Sequence, residues 1–326
     1  MPADPGRIRL AHLPTPLEPM ERLAEALGGP PLYVKRDDCT GLALGGNKAR
    51  KLEPLCAEAI ATGCDVLVTG GGPQSNHVRM TSAAANRLGL VCHVALAGDP
   101  PETPTGNLLV DLVLGARLHF TGPATYYELE AAIEKLAADL AREGRRPFAI
   151  PVGGASVTGV AAYADAAEEL VGQCAERGVD LGVVVVADGS GGTHAGLLAG
   201  LGPGVDVLGV DVGTRPDLDV TVPRLAGEAA VRTGRTAPSA RSSIDHDRFG
   251  AGYGAVTEPT LEAIALAARL EGLVLDPVYS GKAMAGLVAA VREERLSPSR
   301  PVVFWHTGGS PALFADRYAS CFGAPG

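Results

Sequence analysis

Short apolar runs alternate along this chain with longer amphipathic stretches, a rhythm best accommodated by parallel strands joined through crossover helices. The apolar runs at residues 32–35, 66–69, 91–95, 116–120, 148–151, 183–187, 207–212 and 302–306 predict strands. Helical periodicity fills the intervals at 20–27, 48–62, 75–88, 105–114, 126–143, 157–176, 193–201, 217–232, 261–271, 282–293 and 311–318. Aromatic residues are only 4% of the chain against 46% hydrophobic overall. Ala, Leu and Val must then build the core, which suits helices packed closely on parallel sheets. With 326 residues, about twice an ordinary domain, the expectation is an α/β protein of two domains with open parallel sheets.

The formal net charge of -9 argues against nucleic acid as a partner, and the arginines are scattered rather than gathered into a stripe. The opening MPADPGRIRLAHLPTP lacks an apolar leader core, and no stretch approaches a membrane span, so a cytoplasmic protein is expected. Cys39, Cys56, Cys64, Cys92, Cys174 and Cys321 lie far apart, without a Cys-x-x-Cys pair or a Cys/His cluster. They read as free thiols, and no metal is expected. Neither a His-Glu-x-x-His motif nor a Gly-x-Ser-x-Gly elbow occurs, which removes the usual support for metal or serine hydrolysis.

The chain has five lysines, Lys35, Lys48, Lys51, Lys135 and Lys282, so each invites a question. Lys48 follows a Gly45-Gly46 turn, and Asn47 stands where it can cap the helix that Lys48 opens. An amine at a helix N-terminus meets the positive end of the dipole, which favours its neutral, nucleophilic form. In GGGPQSNHVR a helix beginning at Ser75 or Asn76 exposes free N–H groups beside Ser75, Asn76 and His77, a receptor for a carboxylate. In VVVVADGSGGTHAG a buried strand feeds Gly189, Ser190, Gly191, Gly192 and Thr193, whose backbone can converge on one phosphate. The loop matches neither the dinucleotide fingerprint nor the Walker pattern.

Tyr253 in GAGYGAV and Tyr279 in LDPVYSGK can serve as acid or base, stack on a planar cofactor, or simply fill the core. Thr307 follows the last strand, at the carboxyl edge where open α/β sheets bind ligands; its hydroxyl can face a ring nitrogen or cap a helix. Residues 233–254 lack apolar periodicity and read as an active-site wall.

Taken in order, GGNKARKLE, QSNHVR, GSGGTHAG, GYG, DPVYSGKAMAG and HTGGSPALF resemble the signature of the fold-type II pyridoxal-phosphate enzymes, in the family comprising 1-aminocyclopropane-1-carboxylate deaminase and D-cysteine desulfhydrase. The similarity runs from LPTPLEPM to PALF, nearly the whole chain. It implies a tryptophan synthase β-like fold, with residues 1–50 plus 161–326 in a large cofactor-binding domain and 51–160 in a small one. It also implies that Lys48 binds the aldehyde of pyridoxal 5'-phosphate, that Asn76 bonds its phenolic oxygen, and that Gly189 to Thr193 with Lys51 hold its phosphate. Ser75, Asn76 and His77 then receive the substrate carboxylate, with Ser75, Tyr279 and Tyr253 joining Lys48 as catalytic residues and Ser280 and Thr307 facing the pyridine nitrogen.

Within this family the deaminases carry Glu where this chain has Ser280, Leu where it has Thr307, and Gln where it has His77; the desulfhydrases carry hydroxyls at the first two positions. A neutral hydroxyl stabilises a protonated ring nitrogen less than a carboxylate does, so the ring becomes a weaker electron sink. Opening a cyclopropane suffers more from that than eliminating a good leaving group from Cβ. The expected function is therefore β-elimination of sulfide from a small amino acid, D-cysteine first, giving pyruvate and ammonia. Cα proton removal falls to Lys48 or Tyr279. The cyclopropane deaminase and an L-cysteate sulfo-lyase are the alternatives within the family, and a noncatalytic pyridoxal-phosphate binding protein the alternative outside it. A homodimer acting on a small amino acid, with no nucleic-acid or membrane partner, completes the expectation.

Overall fold

The computed structural model describes residues 8–322. Residues 1–7, the start of the segment examined for a leader, lie outside the described residues. The strands are β1 Leu17–Pro19, β2 Leu32–Arg36, β3 Val66–Gly71, β4 Val91–Leu96, β5 Arg117–Phe120, β6 Pro147–Ala149, β7 Val183–Asp188, β8 Asp206–Asp211, β9 Arg241–Asp245 and β10 Val302–His306. The helices are α1 Glu21–Leu27, α2 Lys48–Ala61, α3 Asn76–Arg87, α4 Asn107–Val113, α5 Tyr126–Arg142, α6 Val157–Glu176, α7 Gly192–Gly200, α8 Leu218–Arg232, α9 Glu258–Glu271, α10 Ser280–Arg292, α11 Ser310–Leu313 and α12 Asp316–Ala319.

Six strands form one sheet in the order β1-β2-β10-β7-β8-β9, and four form another in the order β5-β4-β3-β6. All pairings are parallel except β1 with β2. The larger sheet is covered on both faces, and strand alternation decides which residue goes where. Val184, Val186, Val303 and Trp305 pack with α6, α7 and α8, while Val185, Val302 and Phe304 pack with α1, α9 and α10. In the smaller sheet Leu67 and Val94 face α2 and α3, and Val66 and Val68 face α5.

Four features depart from the sequence reading, the first being β1, a short antiparallel strand that no predicted run covers. Part of the stretch 233–254 is β9, an edge strand whose Arg241, Ser242 and Ser243 are exposed. Its place comes from backbone pairing to β8, which leaves no apolar period to read. The predicted helix at 311–318 is two short ones, because Ala315 takes an extended conformation between them. Helix α10 opens at Ser280 rather than Lys282. As for the expected division of the chain, the cuts at 50/51 and 160/161 fall inside α2 and α6.

One buried polar group ties these layers together. Asp37, fully buried just after β2, accepts hydrogen bonds from Arg50 on α2 (Nη2, 2.9 Å), Tyr163 on α6 (2.5 Å), Trp305 on β10 (2.8 Å) and Thr15 (2.9 Å). Arg50 continues to Glu169 on α6 at 2.8 Å, and Glu169 pairs with the buried Lys35. Burial pushes the Asp37 carboxyl up, but Arg50 and the hydrogen bonds outweigh it and hold it below the usual range. Its stabilisation is thus present above the ordinary carboxylate range and is lost as pH falls. Removing one member of such a network strands the others. Asp37→Asn is expected to cost about 3–5 kcal/mol, seen as a lower urea midpoint at pH 7, and the deficit relative to wild type should shrink as pH drops below 4.

Candidate active site

The carboxyl ends of β3, β7, β8 and β10 converge on one cleft between the sheets, where open α/β folds leave loop backbone unpaired. Its walls include Lys48, Ser75, Asn76, His77, the loop Gly189 to Thr193, Thr214, Tyr279 and Thr307. The structure therefore gathers residues spread over more than two thirds of the chain.

Lys48 opens α2, half-buried at the cleft floor. Asn47 does not cap that helix as expected; its Nδ2 donates to Thr193 Oγ1 at 3.0 Å and joins the Lys48 turn to the phosphate-type loop. The turn itself demands glycine: a Cβ on Gly45 would stand 1.8 Å from the Asp38 carbonyl oxygen, at φ +73°. Burial lowers the Lys48 ammonium to about 8, with Asp188 pulling the other way. The other lysines are committed. Lys35 pairs with Glu169, Lys51 donates to the Gly153 carbonyl at 3.3 Å, Lys135 pairs with Asp139, and Lys282 donates to the carbonyls of Val212, Phe249 and Gly252. Among the described residues Lys48 alone carries an unpartnered amine.

At the start of α3, Ser75 is the N-cap, accepting from the Val78 N–H at 3.4 Å. Asn107 donates to Asn76 Oδ1 at 2.8 Å, and Arg79 in turn holds Asn107 Oδ1 at 3.0 Å. That pair fixes the Asn76 amide with its NH2 free to donate. The Thr69 hydroxyl gives its proton to the Ile150 carbonyl, so at 2.9 Å it accepts from His77 Nε2. His77 is thereby a neutral imidazole with Nδ1 unpartnered, and burial with the Lys48 and Lys51 charges holds its protonation well below the usual range. An anion at this helix start meets the backbone N–H of Asn76 and His77 rather than a histidine cation.

The loop after β7 turns at Gly191, φ +81°. A Cβ on Gly192 would come 2.8 Å from Lys51 Nζ, so the glycine is what lets that fully buried ammonium approach the loop. Burial and the Lys48 charge depress Lys51 well below the ordinary lysine value, against the opposing pull of Asp188. The Thr214 hydroxyl, buried in the same wall, has no partner. Unpartnered Thr214 and His77 atoms, a glycine cradle and a buried amine fit a phosphorylated aldehyde. Thr214 was missed in the sequence, although it follows β8 in the strand-to-glycine pattern that marks Ser190 after β7.

Tyr253 and Tyr279 meet, hydroxyl to hydroxyl at 2.8 Å; Tyr279 lines the cleft, and Tyr253, on the loop after β9, lines the hollow beside it. Burial holds both phenols above their usual range. Thr307 lines the cleft. Ser280, next in the chain to the wall residue Tyr279, is buried, and its hydroxyl is donated to Asp276 Oδ1 at 2.6 Å. Asp276 was not singled out from sequence, though Asp-Pro ahead of a helix is a turn signal.

Against known proteins, the family model described as pyridoxal-phosphate dependent enzyme matches residues 8–308. D-cysteine desulfhydrase of Salmonella choleraesuis (strain SC-B67) is 44% identical over 321 residues, 95% of each chain, and that of Salmonella typhi 44% over 324 residues. The crystal structure of an ACC deaminase homologue superposes with a TM-score of 0.88 at 36% identity, covering 97% of this chain and 95% of that one. A fungal L-serine ammonia-lyase from Rhizomucor miehei shares the fold, at a TM-score of 0.67 and 18% identity over 97% and 98% of the two chains. A match over nearly the whole length, falling on a cleft already shaped for a phosphorylated aldehyde, places this chain among the pyridoxal-phosphate dependent enzymes.

Proposed function

We propose that this protein is a carbon–sulfur lyase that converts D-cysteine to pyruvate, sulfide and ammonia. The observation that carries the substrate is the 44% identity to D-cysteine desulfhydrases across 95% of both chains. The site residues fit that chemistry. Pyridoxal phosphate supplies an aldehyde for the amino group and an electron sink for Cα. Lys48 takes the aldehyde; Lys51 and the Gly189 to Thr193 backbone take the phosphate. Asn76 donates its amide to the phenolic oxygen, and the α3 N-terminus receives the substrate carboxylate. Ser280 and Thr307 meet the ring nitrogen.

With its ammonium at about 8, Lys48 is the better-matched base for the Cα proton. Tyr279 stays protonated and, bonded to Tyr253, suits a donor beside the departing sulfur. HS⁻ leaves Cβ, and water converts the remaining three-carbon enamine to pyruvate and ammonia. A hollow of about 420 Å³ beyond Ser75 and Tyr279, lined by Tyr126, Leu129 and Tyr253, gives the leaving group an apolar exit. Among the described residues no helix is long and apolar enough to cross a membrane. The free cysteines support a cytoplasmic setting, and exposed Phe314 and Val274 beside an apolar groove support a homodimer.

The test is release of sulfide, sulfite and ammonia from D-cysteine, L-cysteine, L-cysteate and 1-aminocyclopropane-1-carboxylate. Sulfide from D-cysteine should dominate; faster turnover of the cyclopropane acid or L-cysteate overturns the substrate. Borohydride reduction of the loaded protein should place the cofactor label on Lys48, and the rate of cofactor uptake by apoprotein should rise with pH and level off above about 8, where the amine is neutral. A label on Lys51 or Lys282 refutes the assignment. Gly192→Val drives a side chain onto Lys51 and should weaken cofactor affinity about a hundredfold, the loss of roughly two charge-assisted bonds, while thermal unfolding of the apoprotein changes far less. An unchanged cofactor dissociation constant would make the loop merely structural.

A further inference from the structure

Asp276 is wholly buried in the turn before α10, and its carboxylate is fully occupied. The N–H groups of Val278 and Tyr279 reach Oδ2 at 2.9 Å each, and that of Ser280 reaches Oδ1 at 2.9 Å. The Ser280 hydroxyl donates to the same Oδ1 at 2.6 Å and accepts the Asp276 N–H at 2.9 Å. A hydroxyl has one proton and two lone pairs. Ser280 has spent its proton and one lone pair on Asp276, so a single lone pair remains for any other neighbour.

Two cations feel the field of Asp276, and neither bonds to it. Arg79 is held by Asn107 and the Gly45 carbonyl, and Lys282 by three backbone carbonyls. The neighbouring titratable groups Tyr253, Tyr279, His306 and Tyr318 bring no positive charge to it in hydrogen-bond contact. A buried carboxylate matched only by dipoles is an incomplete arrangement. It also lies close to the cleft: a Cβ on Gly309 would stand 2.3 Å from Asp276 Oδ1 and 3.1 Å from Asn76 Nδ2, so the carboxylate and a cleft wall residue close on the same glycine.

We propose that Ser280 and Asp276 act as a couple, the hydroxyl giving its proton to the carboxylate and its last lone pair to a protonated ring nitrogen of bound pyridoxal phosphate, so that Asp276 is the counter-charge of that nitrogen. The inference rests on the reading that Ser280 meets the ring nitrogen. An unprotonated nitrogen would set its own lone pair against that of Ser280, which is repulsive. The proton comes from solvent and stays on the nitrogen; none leaves Ser280 or Asp276. Asp276 is thus a positioning residue that acts through Ser280, and the ring is a stronger electron sink than a lone neutral hydroxyl would make it, the reverse of the expectation from sequence.

The test is the nitrogen NMR shift of protein reconstituted with ring-15N pyridoxal phosphate, recorded across pH. Wild type should show the pyridinium signal at neutral pH. Asp276→Asn, nearly the same size, should lower the apparent pKa of the ring nitrogen by at least about one unit, as removal of a nearby charge does. Ser280→Ala, which leaves the Asp276 contacts to backbone N–H in place, should do the same and guards against an Asp276 variant that fails to fold, while Ser280→Thr should keep the wild-type signal. A wild-type pyridine signal at neutral pH, or a pyridinium signal untouched by Asp276→Asn, overturns the couple. If Ser280→Ala also leaves the signal unmoved while the label still sits on Lys48, it is the placement of Ser280 at the ring nitrogen that fails.

Discussion

Asp37 is the group on which the position of Lys48 depends. Its side chain binds Arg50, Tyr163 and Trp305, and its own carbonyl accepts the Gly46 N–H at 3.0 Å, so one residue fixes β2, α2, α6, β10 and the turn that delivers the lysine. A reactive amine must be held against a cleft it has no bond to. Here the restraint comes from below: every partner of the turn is buried, while the amine is left without one.

Desolvation then does most of the electrostatic tuning. Two lysines share a region with Asp188 as the nearest opposing charge, and burial lowers both ammonium groups. His77 is kept neutral by the same burial and by those two charges. The cleft is consequently rich in donors aimed inward, with backbone N–H groups, the Asn76 amide and the Thr214 hydroxyl all lacking an acceptor. On the proposed reading, a phosphate and a carboxylate would supply what these groups lack, and their arrival would also restore the charge that burial suppresses.

The α10 turn adds a layer behind the wall. Ser280 alone reads as a neutral contact, but its hydroxyl is oriented by Asp276, and a hydroxyl's partner decides whether it donates or accepts. On the proposed couple, discrimination between sulfur elimination and ring opening would fall less on the electronics of one side chain and more on the shape of the walls beside it, where Thr307, Tyr279 and the apolar hollow lie.

The sequence by itself determined the parallel α/β class, the order of eight of the ten strands and of the longer helices, and the loops that hold Lys48, Ser75 and Gly189 to Thr193, because these follow from local periodicity and from glycines placed where no other residue fits. The helix cap assigned to Asn47, the polar strand β9, the unpartnered Thr214 and the carboxylate behind Ser280 were decided by tertiary structure. Each depends on a group distant in sequence or on a side-chain direction: Asn47 turns to Thr193, β9 exists through β8, and the proton of Ser280 points at Asp276. Local pattern says which residues reach a cleft, but hydrogen-bond direction is fixed only when all the partners of a group are in place, and that requires the folded chain.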